Sequence, residues 1–445
     1  MQLSKGATAL VLVVLAALWL VTNTAVFSAA GLGALREPAI QLTGILAMCL
    51  VCLGAVLALR SRLSERTFGG LDKLYRGHRA FGIAGLCFAV AHWLLIESQG
   101  WFGGGHGHGG QRGGHREIAS SGLADWLQAQ HGLAGTFANW GFYALVVLAV
   151  VALASRIPYG LFYLSHRLMA VVLLLLAFHA LVFFPYAQWL SPIGVVLAII
   201  LLAGVAAALV SLAGRIGARR RAIGRVSDFT YYPELQVLQA DVELADGWPG
   251  HKPGQFAFVH GGRWEGQHPF TIASAWHPED RKIVFIAKEL GDFTGSLKDR
   301  ARIGAPVRVE GPYGSFTFED TCPLQIWIAG GVGITPFVAM MRQRQRHPGS
   351  DRHQVHLFYT SMNLHEEGLA KLSDLAQAAD VHCHYLHTLR DGYLTGERVR
   401  QDVPDWLAAS VWFCGPAAFG DAIKSDLTAH GFQPRRFHKE LFGWR

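Results

Sequence analysis

The hydrophobic pattern changes character near Arg215. Before it, apolar segments recur near residues 7–27, 40–59, 79–96, 140–156, 163–184 and 192–213. Each approaches the ~20 residues a helix needs to cross a hydrocarbon core. From 225 to 321 apolar and polar residues alternate between turn residues, which predicts a small antiparallel β-barrel. From 322 the chain reads as a buried strand, a glycine-rich turn and a helix, the opening of an α/β domain. The expected fold is therefore multi-domain: a six-helix transmembrane bundle over 1–215, a barrel over 225–321 and an α/β domain over 322–445.

Composition agrees with this split. The 445 residues are 51% hydrophobic and 16% charged, with a formal charge of +7. The excess arginines sit at the ends of apolar runs, so they read as membrane topology and nucleic-acid binding is not expected. Arg60, Arg62, Arg66, Lys73 and Arg76 crowd the second loop, and Arg215, Arg219, Arg220, Arg221 and Arg225 follow the sixth span. The positive-inside rule places both clusters, and the C-terminal half, in the cytoplasm of a multi-pass inner-membrane protein. Lys5 and the following apolar run resemble a signal peptide, with a weak cleavage region at Ser28–Ala30. The run is long enough to be read instead as an uncleaved first helix. Cys49 and Cys52 form a CxxC inside an apolar span with no histidine after it, which reads as small apolar filler. His106, His108 and His115 lie in a glycine-rich loop, read as a solvated connector, with weak metal collection as the alternative.

Histidines are the anomaly of the apolar half. His78 and His92 bracket the third span, and His166 and His179 the fifth. Ionisable groups at membrane depth are costly and face the bundle interior for functional reasons. The two spans share a direction, so His78 pairs in level with His166, and His92 with His179. At 1.5 Å per residue the levels lie ~20 Å apart, room for two stacked haems with bis-His ligation. A spacing of fourteen returns to within ~40° of one helix face, whereas thirteen leaves the fifth-span pair ~140° apart. Arg79 and Arg167, each next to a histidine, are candidates for haem propionates or for membrane anchoring.

This histidine pattern resembles the ferric reductase and NADPH oxidase superfamily, whose members hold two b-type haems in such pairs. Three further segments carry the resemblance: HPFTIAS from His268, IVFIAKELGDFTGSL from Ile283, and EGPYGSF from Glu310. They resemble, in order, the flavin barrel of the ferredoxin-reductase superfamily. That likeness implies FAD, with His268, Pro269, Phe270 and Thr271 along its ring and ribityl chain. It puts Thr294, Gly295 and Ser296 at its pyrophosphate.

The turn GGVGITP holds Gly330, Gly331, Gly333 and Thr335, where bare backbone amides and a helix start suit a phosphate. VWFCGP, ending at Cys414, Gly415 and Pro416, resembles the family's strand-end turn beside the nicotinamide. By the same likeness an aromatic residue of the tail FHKELFGWR shields the flavin, Phe442 first and Trp444 second. NADPH-using relatives often carry an arginine where this chain has Met362, so NADPH and NADH both stay open, with Ser361 or Arg390 as substitutes.

The resemblance implies an NAD(P)H-dependent oxidoreductase that moves electrons through FAD and haem to an extracytoplasmic acceptor. Ferric chelates are expected first and dioxygen, giving superoxide, second. A haem-based carrier or sensor is the rival of a different class. No EF-hand pattern accompanies these segments.

Overall fold

A computed structural model describes residues 2–28, 32–101, 122–154, 156–260, 266–289, 292–349 and 351–440. The chain forms two compact units that meet in sequence at Ile216 and Gly217. His106, His108, His115, Phe442 and Trp444 lie outside the described residues, as do Ala29 and Ala30 of the weak cleavage region.

The first unit is helical. Its elements are α1 (Gln2–Thr22), α2 (Arg36–Leu57), α3 (Arg62–Phe68), α4 (Leu71–Trp101), α5 (Gly122–Ala129), α6 (His131–Leu153), α7 (Tyr159–Phe183) and α8 (Pro192–Leu212). The start of α8 shows why the chain turns here. Pro192 occupies the first turn, where its missing N–H costs nothing, and the Ser191 hydroxyl accepts from Gly194 N. Among the described residues, five helical segments are long and apolar enough to cross a membrane: Gly33–Leu57, Leu71–Ser98, His131–Leu153, Gly160–Phe183 and Pro192–Leu212. The apolar run of α1, Gly6–Thr22, is shorter. It nevertheless joins the bundle core, where Leu15 and Trp19 pack with Leu46 and Cys49 of α2, Leu173 of α7 and Leu197 of α8.

Cys49 and Cys52 are fully buried in that core. A Cβ on Gly204 of α8 would stand 2.4 Å from Cys52 Sγ, so the two helices touch through a glycine and a small thiol. On the outside, Val147, Val150, Ile199 and Leu202 are exposed, as side chains facing lipid would be.

The second unit opens with an antiparallel sheet. Strands β1 (Arg221–Tyr232), β2 (Val237–Leu244), β3 (Phe256–His260), β4 (Gln267–Thr271), β5 (Lys282–Lys288) and β6 (Pro306–Tyr313) run in the order β4-β3-β6-β1-β2-β5. The outermost strands are linked by one bridge, Ile272 to Phe285. Helix α9 (Asp292–Arg300) lies between β5 and β6 in sequence. The alternation read from the sequence is the burial pattern observed: Ala222, Gly224 and Val226 of β1 point inward. β1 begins inside the arginine run at 219–225, and Arg221 there pairs with Glu310, a fully buried carboxylate of β6. Gln267 Nε2 and the Tyr313 hydroxyl also donate to Glu310. Arg221 thus has a folding role, because a buried carboxylate needs a cation and donors around it.

The rest is a parallel sheet with crossover helices. Its elements are β7 (Leu324–Gly330), α10 (Thr335–Arg346), β8 (Gln354–Ser361), α11 (Glu366–Ala378), β9 (His382–His387), α12 (Thr388–Asp391), α13 (Gly396–Asp402), β10 (Ser410–Cys414), α14 (Ala417–Ala429) and β11 (Phe437–Glu440). The strand order is β11-β10-β7-β8-β9. Covered on both faces, β10 is buried throughout and β7 throughout except Gly330 at its end, and both are apolar except for the buried Gln325 and Ser410.

Candidate functional site

Two histidine pairs face each other across α4 and α7. The His78 and His166 ring centroids are 5.8 Å apart, and those of His92 and His179 are 6.4 Å apart. Thus α7 meets α4 at both levels, despite the thirteen-residue spacing that an ideal helix would splay. Two imidazole nitrogens bonded on opposite sides of one metal at ~2 Å put their rings roughly 6 Å apart, which both pairs match.

Helix α2 supplies the partners that orient this site. His78 Nδ1 donates to Gly54 O at 2.8 Å, and His92 Nδ1 donates to Ile40 O at 2.9 Å. With the proton held on Nδ1, the lone pair of each ring is on Nε2. His166 Nδ1 and His179 Nδ1 are buried without a hydrogen-bond partner among the described residues. Beside the second pair is a cavity of about 880 Å³, lined by His92, His179, Gly44, Met48, Phe142 and Leu176. A pocket of that size and apolar lining holds a cofactor-sized ligand.

Gly44 is a residue the sequence reading missed. A Cβ there would lie 2.9 Å from His92 Cε1, so α2 backs directly onto the ring. The signal was present as a pair of glycines, Gly44 and Gly54, inside one apolar span. The facing imidazoles and the carbonyls behind two of them, with the cavity beside His92 and His179, fit residues that would hold a haem.

In the antiparallel sheet, His268, Pro269, Phe270 and Thr271 form most of β4. His268 stacks on Phe293 at 3.7 Å between centroids, and Phe270 lies 6.4 Å from the same ring. Phe293 therefore ties this strand to the first turn of α9, which holds Thr294, Gly295 and Ser296. A Cβ on Gly295 would meet open space, so that turn is accessible to a ligand.

In the parallel sheet the strand order reverses between β7 and β10, the place where open α/β sheets bind ligands. Gly330 and Gly331 follow from β7, and Gly415 and Pro416 from β10. The two turns touch: a Cβ on Gly330 would lie 2.9 Å from Pro416 Cδ. The glycines have distinct reasons. Gly331 has φ +57° and open space where a side chain would stand, so a ligand can approach the backbone closely there. Gly333 has no such space, since its Cβ would stand 2.2 Å from Cys414 O. Thr335 is buried and its hydroxyl donates to Val332 O, closing the turn.

Cys414 ends β10 fully buried. Burial, reinforced by the nearby Glu440 carboxylate, pushes its thiol well above the usual range, so it acts as a neutral packing group. The two sheets of this unit meet near these turns. Arg342 Nη1 of α10 donates to Ala273 O, just past β4, and the turn after β7 touches β5.

A membrane-embedded helical unit joined to flavin- and nicotinamide-type modules defines an NAD(P)H oxidoreductase of the membrane. Three family models match, in this order: a ferric reductase like transmembrane component at residues 43–177, an FAD-binding domain at 230–317 and an oxidoreductase NAD-binding domain at 327–424. These three matches are the parts that the resemblance to ferric reductases and NADPH oxidases implies, in the implied order.

Its reductase half is similar to the 2-halobenzoate 1,2-dioxygenase electron transfer component of Burkholderia cepacia, 27% identical over 43% of this chain and 58% of that one. It is also similar to the propane 2-monooxygenase reductase component of Rhodococcus jostii, 28% identical over 40% of this chain and 52% of the relative. The chain thus spans little more than half the length of these relatives. Among solved structures, the Amycolatopsis cytochrome P450 reductase GcoB aligns with a TM-score of 0.43 at 22% identity, over 50% of this chain and 70% of that one.

Proposed function

We propose that the protein takes electrons from cytoplasmic NAD(P)H and passes them through FAD and two b-type haems to an extracytoplasmic acceptor, ferric chelates first. The observation that carries this reading is the pair of facing imidazoles at two levels of α4 and α7. One pair alone would suit a packing contact. Two pairs ~20 Å apart along the helices suit a relay across an apolar layer.

When bound, FAD converts hydride transfer into single-electron steps and haem relays single electrons. The chain's residues supply the rest. His78 with His166, and His92 with His179, would hold the irons, while the Gly54 and Ile40 carbonyls keep two of the rings in one tautomer. Two imidazoles committed to each iron would leave substrate no protein-free ligand position, which favours reduction of a chelate without direct binding to the iron. His268 to Thr271 would line the flavin, and the first turn of α9 would receive its pyrophosphate. The turns after β7 and β10 would seat the nicotinamide nucleotide, with Cys414 as an uncharged wall. The Ile272–Phe285 bridge supports reading the antiparallel sheet as a closed barrel. The burial of Leu15 and Trp19 supports α1 as a sixth span. The arginine clusters support a cytoplasmic reductase half in the inner membrane.

The test is anaerobic turnover of the purified full chain in lipid nanodiscs, with NADH or NADPH as donor and a ferric chelate as acceptor. Flavin bleaching, two haems b per polypeptide and dismutase-insensitive iron reduction are expected. Absence of flavin bleaching with either nucleotide, or of haem, defeats the proposal.

A further inference from the structure

We propose that this reductase is specific for NADH and discriminates against NADPH, through the residues at the ends of β8 and β9. The inference rests on the nucleotide site proposed above. In a doubly wound sheet the pyrophosphate lies on the turn after the first strand, here β7. The adenosine ribose then reaches the end of the next strand, β8. There the protein must recognise either a 2′-hydroxyl or a 2′-phosphate carrying up to two negative charges. A 2′-phosphate needs an available cation, best a guanidinium with two donors free.

Three residues stand at these strand ends, and none offers a free cation. Met362, the residue after β8, is 61% exposed and has no donor. Ser361 is closed on itself: its hydroxyl accepts from Asn363 N and donates to Asn363 O. Arg390, at the end of β9 in α12, is held by both oxygens of Asp391, at 2.8 and 3.1 Å.

That ion pair is exposed and could open easily. Its acid partner is the more decisive member. Asp391 also accepts from His387 N, and His387 is the register partner of Ser361. The Arg390 hydrogen bonds first, then the His387 amide, hold the Asp391 carboxyl down to about 2. A 2′-phosphate here would face the Asp391 carboxylate, and an ordinary carboxylate is ionised at neutral pH even without Arg390 beside it.

The remaining polar groups suit a neutral diol. Thr360 Oγ1 and Thr388 Oγ1 are 3.2 Å apart, and His387 Nδ1 is buried without a hydrogen-bond partner among the described residues. Hydroxyls can donate to and accept from ribose hydroxyls without any charge to balance.

The experiment is stopped-flow reduction of the flavin in the purified full chain, with NADH and NADPH compared at low and at physiological salt. NADH is expected to be preferred by about ten-fold or more in kcat/KM, the size of one charge-assisted contact. Met362→Arg and, separately, Asp391→Asn are each expected to raise kcat/KM for NADPH at least about ten-fold. A wild-type preference for NADPH, or equal use of the two, overturns the inference and leaves the proposed function standing. So does failure of both substitutions to improve NADPH use. No reduction by either nucleotide would instead remove the proposed function itself.

Discussion

Substituting Gly44 tests the haem reading at a residue that ligates nothing. An alanine Cβ at 44 would sit 2.9 Å from Cε1 and 3.1 Å from Nδ1 of His92. Carbon atoms in contact prefer about 3.5–4.0 Å, so the ring must retreat by about 0.5–1 Å. Retreat strains the Nδ1 bond to Ile40 O, the contact that sets the tautomer and aim of His92. Loss of such a supporting partner lowers metal affinity about 10–100-fold, or ~1.4–2.7 kcal/mol. Gly54 provides the control on the same helix. A Cβ there meets Phe81 Cβ at 3.7 Å and His78 Nδ1 at 3.9 Å, which is ordinary contact. Pyridine haemochrome titration of the purified variants, per polypeptide, should show Gly44→Ala losing haem from the His92–His179 site. Gly54→Ala should keep its full complement. If Gly44→Ala retains both haems with unchanged spectra and midpoint potentials, α2 does not orient His92 as argued. Equal loss from both variants would point to general damage to α2 packing.

Two more predictions concern the reductase half. Gly333→Ala places a Cβ 2.2 Å from a backbone oxygen, Cys414 O, which no rotamer change can relieve. The turns after β7 and β10 should separate, and flavin reduction by NADH should fall at least about 100-fold while FAD content holds; near-normal reduction would refute the packing argument. His251 is buried between Trp248 and Trp276, bonded to Ser274 O, and burial lowers its pKa from 6.5 to about 4. A base depressed on folding stabilises the fold above its unfolded pKa and loses that contribution as pH falls from ~6.5 towards 4, about 3 kcal/mol in total. Flavin-release melting temperatures should therefore drop across that window, and less steeply in His251→Gln; identical pH profiles for the two proteins would exclude His251 as the cause.

Much of the architecture follows from local pattern. Apolar runs of span length, alternation in β1 and the largely apolar run of β7 each report how a segment is covered, which is a local property of its residues. The histidine levels were equally legible, because a helix converts residue spacing into height. Azimuth was not. Spacing alone left His166 and His179 pointing apart, and only the tertiary arrangement, in which α7 packs on α6, α8 and α2 and faces α4 across the ring pairs, brings both to their partners.

The supporting residues were invisible for the same reason. Gly44, Ile40 and Gly54 matter through what α2 lies against. Glu310 matters because Arg221, Gln267 and Tyr313 converge on it from strands far apart in sequence. The glycine turn shows the division most sharply. GGVGITP marks a phosphate-type turn from its composition, yet Gly331 is open and Gly333 is wedged against Cys414, a difference of neighbours and not of residue type. The sequence by itself determined the modules, their order and the heights of the histidines, since these depend on composition and helical rise. Tertiary structure decided which rings meet, which carbonyls hold them and whether Arg390 stands free, since these depend on side chains brought together from different elements.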